Sequence, residues 1–128
     1  MYFFRSKQNR PMNPLHPHQL SPKELHRWLG DNSISPVLID VREEEELVIA
    51  SFPSPVLHLP LSQSDKWIGS LSDHFAVNKP VVVFCHAGIR SWNFGTWLLK
   101  KGLVKEVWNL DGGIDAWSLS IDSSVPRY

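Results

Sequence analysis

The chain has 128 residues, of which 42% are hydrophobic and 20% charged, with a formal net charge of zero. That length fits one domain with its own core, and the neutral balance argues against a general nucleic-acid or membrane-surface binder. A single cysteine excludes an internal disulfide and suits a reducing compartment, most simply the cytoplasm.

Residues 1–19 hold Pro11, Pro14 and Pro17 with few aliphatics, which predicts an extended lead, mobile or laid along a domain spanning residues 20–128. Tyr2-Phe3-Phe4 before Arg5 is too short for the apolar core of a signal peptide. No apolar run approaches the roughly 18–20 residues of a spanning helix. His16 and His18 lack the further ligands a metal needs and read as exposed polar residues. Ser21 opens the first predicted helix, with Pro22 at its first position and Glu24 completing a capping box. Leu25, Trp28 and Leu29 then recur at helical spacing until Gly30.

Val37-Leu38-Ile39 reads as a buried strand, with Asp40-Val41-Arg42 at its carboxyl end, the edge where function gathers in a parallel sheet. Glu43 to Glu46 place negative charge in the first turn of a helix, as its dipole favours, and read as a solvated start. Leu47, Val48 and Ala50 are its expected inward side. Val56-Leu57-His58-Leu59, bounded by Pro53, Pro55 and Pro60, predicts a short edge strand. Residues 62–75 look helical in part through Trp67, Ile68 and Leu71; Trp67 either packs in the core or borders a pocket.

Val81-Val82-Val83-Phe84 predicts a strand buried on both faces, and residues 89–101 a helix with Trp92, Gly95, Thr96 and Leu99 on one side. Cys85 therefore stands where a buried strand ends and a helix begins. Free N–H groups of a helix's first turn and of a tight preceding loop favour an anion, so this thiol is expected to ionise more readily than a free one, near pKa 8.5. The helix dipole contributes roughly 0.3–1 kcal/mol. That is less than the about 1.36 kcal/mol of one pKa unit, so loop amides and Arg90 are needed as well. A buried structural cysteine is the bland alternative. Four residues separate Cys85 from Arg90, one fewer than the C-x5-R loop of cysteine-dependent phosphatases. A shorter loop makes a tighter anion nest, better matched to one extra sulfur than to a phosphoryl group.

Glu106 to Leu110 gives a last strand, and Gly112-Gly113 permits a tight turn into a helix over residues 114–119. The tail from Asp122 to Tyr128 shows no pattern. Alternating strands and helices predict an α/β sandwich with a mainly parallel sheet and right-handed crossovers. Between Asp73 and Glu106 there is no acidic residue, while Lys79, Arg90, Lys100, Lys101 and Lys105 lie there. Lys100 and Lys101 complement a helix end, which leaves Arg90 as the informative charge.

The run Cys85-His86-Ala87-Gly88-Ile89-Arg90-Ser91 after a hydrophobic strand resembles the active-site loop of the rhodanese family of sulfurtransferases. Ser21 to Leu25, Leu38 to Arg42 and Leu110 to Trp117 resemble further family segments in the family's order. The Gly-His-Ile-Pro-Gly-Ala-type segment is matched only at His58-Leu59-Pro60. The resemblance implies a three-layer α/β/α sandwich with a central, mainly parallel sheet of about five strands. It implies that Cys85 is the nucleophile and that His86, Ala87, Gly88, Ile89 and Arg90 form a substrate- and persulfide-binding loop. Asp40, Arg42 and Ser91 would support it, although Asp40 also reads as a capping residue and Arg42 as a solvent one. The implied reaction is ping-pong transfer of a sulfane sulfur from a small anionic donor such as thiosulfate to a thiol, cyanide or protein acceptor, with no metal or organic cofactor. Arg90 either orients the donor or ties the loop to its surroundings; His86 either donates a proton or points outward. A phosphatase, an arsenate reductase and a non-catalytic interaction module are the rival readings. No nucleic-acid or membrane partner is expected, and the chain is expected to be a monomer or weak homodimer.

Overall fold

A computed structural model describes residues 15–75 and 78–128. Most of the expected lead, residues 1–14, lies outside the described residues.

Five strands, β1 (His18–Leu20), β2 (Val37–Asp40), β3 (Leu57–His58), β4 (Val81–Phe84) and β5 (Trp108–Leu110), form one sheet in the order β1-β5-β4-β2-β3. Every pairing is parallel. The helices among the described residues are α1 (Pro22–Leu29), α2 (Glu44–Ile49), α3 (Ser64–Trp67), α4 (Ile89–Lys100) and α5 (Gly113–Ser120), with 3₁₀ turns at Leu61–Gln63 and Ile68–His74 flanking α3. The predicted α/β sandwich is the observed fold.

The pleat of β4 sorts its side chains between two cores. Val82 and Phe84 join Leu25, Trp28, Ile114 and Trp117 beneath α1 and α5. Val81, Val83 and then Cys85 join Phe94 and Leu98 beneath α4. Burying each such Val or Phe is worth about 1.5–3 kcal/mol. A strand apolar on both faces fits only the middle of the sheet, and β4 lies there, with β5 on one side and β2 on the other. The thiol therefore emerges at the sheet's carboxyl edge on the α4 side.

Several local expectations shift. The sheet starts at His18, inside the expected lead, because His18–Leu20 pairs in parallel with Trp108–Leu110. Just ahead, His16 stacks on Trp92, and a Cβ on Gly95 would come within 2.8 Å of Pro17, so this stretch lies along α4. His16 bonds to the Pro17 carbonyl at 2.9 Å and His18 to Glu106 at 2.9 Å; the described residues contain no metal-binding cluster. Ser21 caps α1 by accepting from the Glu24 N–H at 3.1 Å, but Glu24 does not complete the box. Its carboxylate turns along the helix to Arg27 and to the Trp28 indole N–H. Helix α2 has only six residues and its backbone turns extended at Ala50, so Val48 is 88% exposed instead of facing inward. The buried stripe of α4 is Ser91, Phe94, Gly95 and Leu98, displaced from the predicted one; Trp92 and Leu99 are half-buried. The phase is set at the helix start, where Ser91 must face the sulfur.

Candidate functional site

The loop from Cys85 to Gly88 is held from behind by α5. The N–H groups of Ile114 and Asp115 donate to the carbonyls of Cys85 and His86, at 2.9 and 3.1 Å. That approach requires glycine at 113: its φ is +66°, and a Cβ would overlap the His86 carbonyl and lie 2.5 Å from the Cys85 oxygen. Gly88, at φ +103°, turns the chain into α4. With its carbonyls engaged behind, the loop presents its N–H groups forward.

On the Cys85 sulfur converge the N–H of Gly88 at 3.1 Å, the N–H of Ser91 at 3.4 Å and the hydroxyl of Ser91 at 3.3 Å. Cys85 is 1% exposed. The N–H groups of His86, Ala87, Ile89 and Arg90 donate to no acceptor among the described residues. A sulfur anion at this place meets donors already oriented, and the loop keeps more donors in reserve.

Ser91 Oγ also lies 2.6 Å from Asn109 Oδ1, and Asn109 Nδ2 donates to the Gly88 carbonyl at 3.0 Å and to Gln19 Oε1 at 3.1 Å. Ser91 has one hydroxyl proton and two acceptors within reach, so it turns toward the sulfur only by releasing Asn109. Nothing singled out Asn109 in the sequence; its place in Asn109-Leu110-Asp111-Gly112-Gly113, beside the glycines that touch the loop, is the one available signal.

Asp40 and Arg42 are both buried, and their pairing is multiple. Arg42 Nε donates at 3.0 and 3.2 Å to the two carboxylate oxygens and its Nη2 at 2.8 Å. The backbone N–H of Arg42 adds a bond of 3.0 Å to Asp40 Oδ1. Burial opposes the Arg42 charge, but the hydrogen bonds to Asp40 and Tyr128 outweigh it and raise the pKa above the ordinary value. Arg42 is therefore a buried strut, not a solvent side chain. Its Nη1 reaches the Glu46 carbonyl at 3.4 Å and the Tyr128 hydroxyl at 3.1 Å.

Arg90 does not stand free. It grips Glu46 with both terminal nitrogens, at 2.7 and 2.9 Å. Those bonds pull the Glu46 pKa down to about 2, against burial, with help from the Glu43 N–H and the Tyr128 hydroxyl. The same bonds raise the pKa of Arg90. Of the two sequence alternatives, the structure has Arg90 tying its loop to α2. Glu46 is thus not a solvated helix start, and nothing in a run of four glutamates distinguishes it. His86 is half-buried and stacks on Tyr128, with ring centroids 3.9 Å apart. Trp67 lines a cavity of about 380 Å³ with Arg90, Phe94 and Trp97, while its indole N–H donates to the Pro60 carbonyl at 2.9 Å.

A five-stranded parallel sheet with helices on both faces, carrying a cysteine loop at the carboxyl end of its central strand, defines the class of protein. The rhodanese-like domain family matches residues 21–120, and the chain belongs to that family. The chain is 41% identical over 108 residues to the rhodanese-like/PpiC domain-containing protein 12, chloroplastic, of Arabidopsis thaliana, covering 83% of this chain and 36% of that protein. It is 34% identical over 111 residues to the tRNA uridine(34) hydroxylase of Chlamydia caviae, covering 84% of this chain and 33% of the hydroxylase. The chain thus spans about a third of the length of these relatives. Among solved structures, a rhodanese-like domain protein from Staphylococcus aureus superposes with a TM-score of 0.65 at 23% identity, covering 87% of this chain and 98% of that one. No helix among the described residues is long and apolar enough to cross a membrane.

Proposed function

We propose that this chain is a sulfurtransferase that carries a sulfane sulfur on Cys85. The observation that carries the reading is the convergence of the Gly88 and Ser91 N–H groups on the sulfur, with further loop N–H groups uncommitted. The Cys85 thiolate attacks the outer sulfur of a small anionic donor such as thiosulfate. The donor's S–S bond breaks, sulfite leaves with the bonding electrons, and Cys85 becomes a persulfide. Cyanide or a thiolate then takes the terminal sulfur, and Cys85 departs as the thiolate. The loop N–H groups balance the negative charge in both steps, and a reducing compartment such as the cytoplasm suits the single free thiol.

Because Arg90 and Arg42 are each matched by a carboxylate, donor binding rests on the loop N–H groups more than on a net positive field. The decisive measurement is intact mass after incubation with thiosulfate. Wild type gains about 32 Da, one sulfur, and Cys85→Ser gains nothing, since only a thiolate serves as nucleophile. An unchanged wild-type mass would favour the second reading, a non-catalytic interaction module, to which the near-complete burial of Cys85 lends support.

A further inference from the structure

Tyr128 stands apart from the tail that carries it. That tail is anchored without it: Val125 is buried in the core beneath α1 and α5, and its carbonyl accepts from Ser118 Oγ at 2.5 Å. Arg127 pairs with Asp115 at 2.8 Å. The partners of Tyr128, by contrast, all belong to the Cys85 loop or to what holds it. Its ring lies flat on the His86 imidazole, 3.9 Å between centroids and 11° between planes. Its hydroxyl donates to Glu46 Oε1 at 2.8 Å and accepts from Arg42 Nη1 at 3.1 Å. The same Glu46 carboxylate holds Arg90. One side chain therefore touches the residue after Cys85 and is tied, through Glu46, to the residue at the far end of the loop. Cys85, at the start of that loop, is 1% exposed. A nucleophile set this deep reacts only with what passes the groups at the loop's rim.

We propose that Tyr128 is a specificity-determining residue for Cys85: its ring screens the sulfur, so small anions and small thiols reach it readily and bulky thiols poorly. For its biological meaning the proposal rests on the sulfur-transfer reading above, where it narrows the acceptor to a small thiophile. The screening itself is a property of the thiol and is measured without sulfur transfer. Because Cys85 is the only cysteine, alkylation reports on that one group.

The test compares, at one pH, the rates at which iodoacetamide and a fluorescein maleimide modify Cys85 in the full chain, read by intact mass. Wild type, Tyr128→Ala and Tyr128→Phe are compared after circular dichroism shows each folded. Tyr128→Ala is expected to raise the bulky-to-small rate ratio about tenfold, the equivalent of one decade in access. Tyr128→Phe keeps the ring on His86 and is expected to stay within about twofold. A rise in both variants also supports the screen, with the hydroxyl as its latch. A ratio in Tyr128→Ala within about twofold of wild type overturns the proposal. Failure of wild type to gain sulfur from thiosulfate sinks the sulfur-transfer reading instead and leaves this comparison standing.

Discussion

Asn109 shows how much of the site rests on one buried amide. It accepts from Ser91, donates to the carbonyl of Gly88 and reaches Gln19, fixing both the hydroxyl and the turn beside the sulfur. Replacement by leucine leaves the Gly88 carbonyl and the Ser91 hydroxyl short of partners in a closed space. The expected cost is about 1–3 kcal/mol of stability, the usual penalty for an orphaned buried polar group. It shows as a lower urea midpoint, together with slower sulfur uptake by Cys85 in the mass assay. The Asp40–Arg42 pair is the stricter case, because both side chains are essentially unexposed. Removing one charge strands the other, so Asp40→Ala is expected to cost about 3–5 kcal/mol in chemical denaturation.

At the scale of elements, the contact between the start of α5 and the Cys85 loop governs how the loop faces the sulfur. Gly113→Ala places a methyl group against the Cys85 and His86 carbonyls at a backbone φ that side chains rarely adopt. Strain of this kind costs on the order of 1–3 kcal/mol. The loop and α5 must then separate, freeing the two carbonyls that α5 now engages. Loss of the sulfur adduct is therefore expected even under conditions where circular dichroism shows the variant folded. Survival of the adduct at the wild-type rate would mean that α5 does not orient the loop.

Across the whole molecule, the Arg90–Glu46 pair joins α4 to α2 and makes stability depend on pH. The folded pKa of Glu46, about 2, lies below its unfolded value of 4.5. Its contribution is therefore fully present above pH 4.5 and drains away as pH falls toward 2. Because Arg90 is 39% exposed, solvent screening reduces the contribution to the order of 1 kcal/mol. Glu46→Gln is expected to be less stable than wild type by that amount near neutrality. Urea titrations between pH 7 and pH 2 should show the gap closing as wild type loses its ion pair.

The sequence makes legible the sheet's central strand, the helix behind it, the thiol at their junction and the glycines that let the backbone turn there. These follow from local rules: β-branched runs bury on two faces, and a helix start offers N–H groups. It also located Arg42 and Arg90, but not their partners. Strand His18–Leu20 went unseen because three residues without an apolar run carry no period of their own; pairing with β5 makes them a strand. Packing of distant elements is what lets Glu46, 44 positions from Arg90, bind it, and lets Tyr128, 86 positions from Arg42, stack on His86. Spacing along the chain specifies which face of an element a residue occupies. Which oppositely charged or aromatic side chains meet depends on how the packed elements bring those faces together, and that geometry exists only after folding.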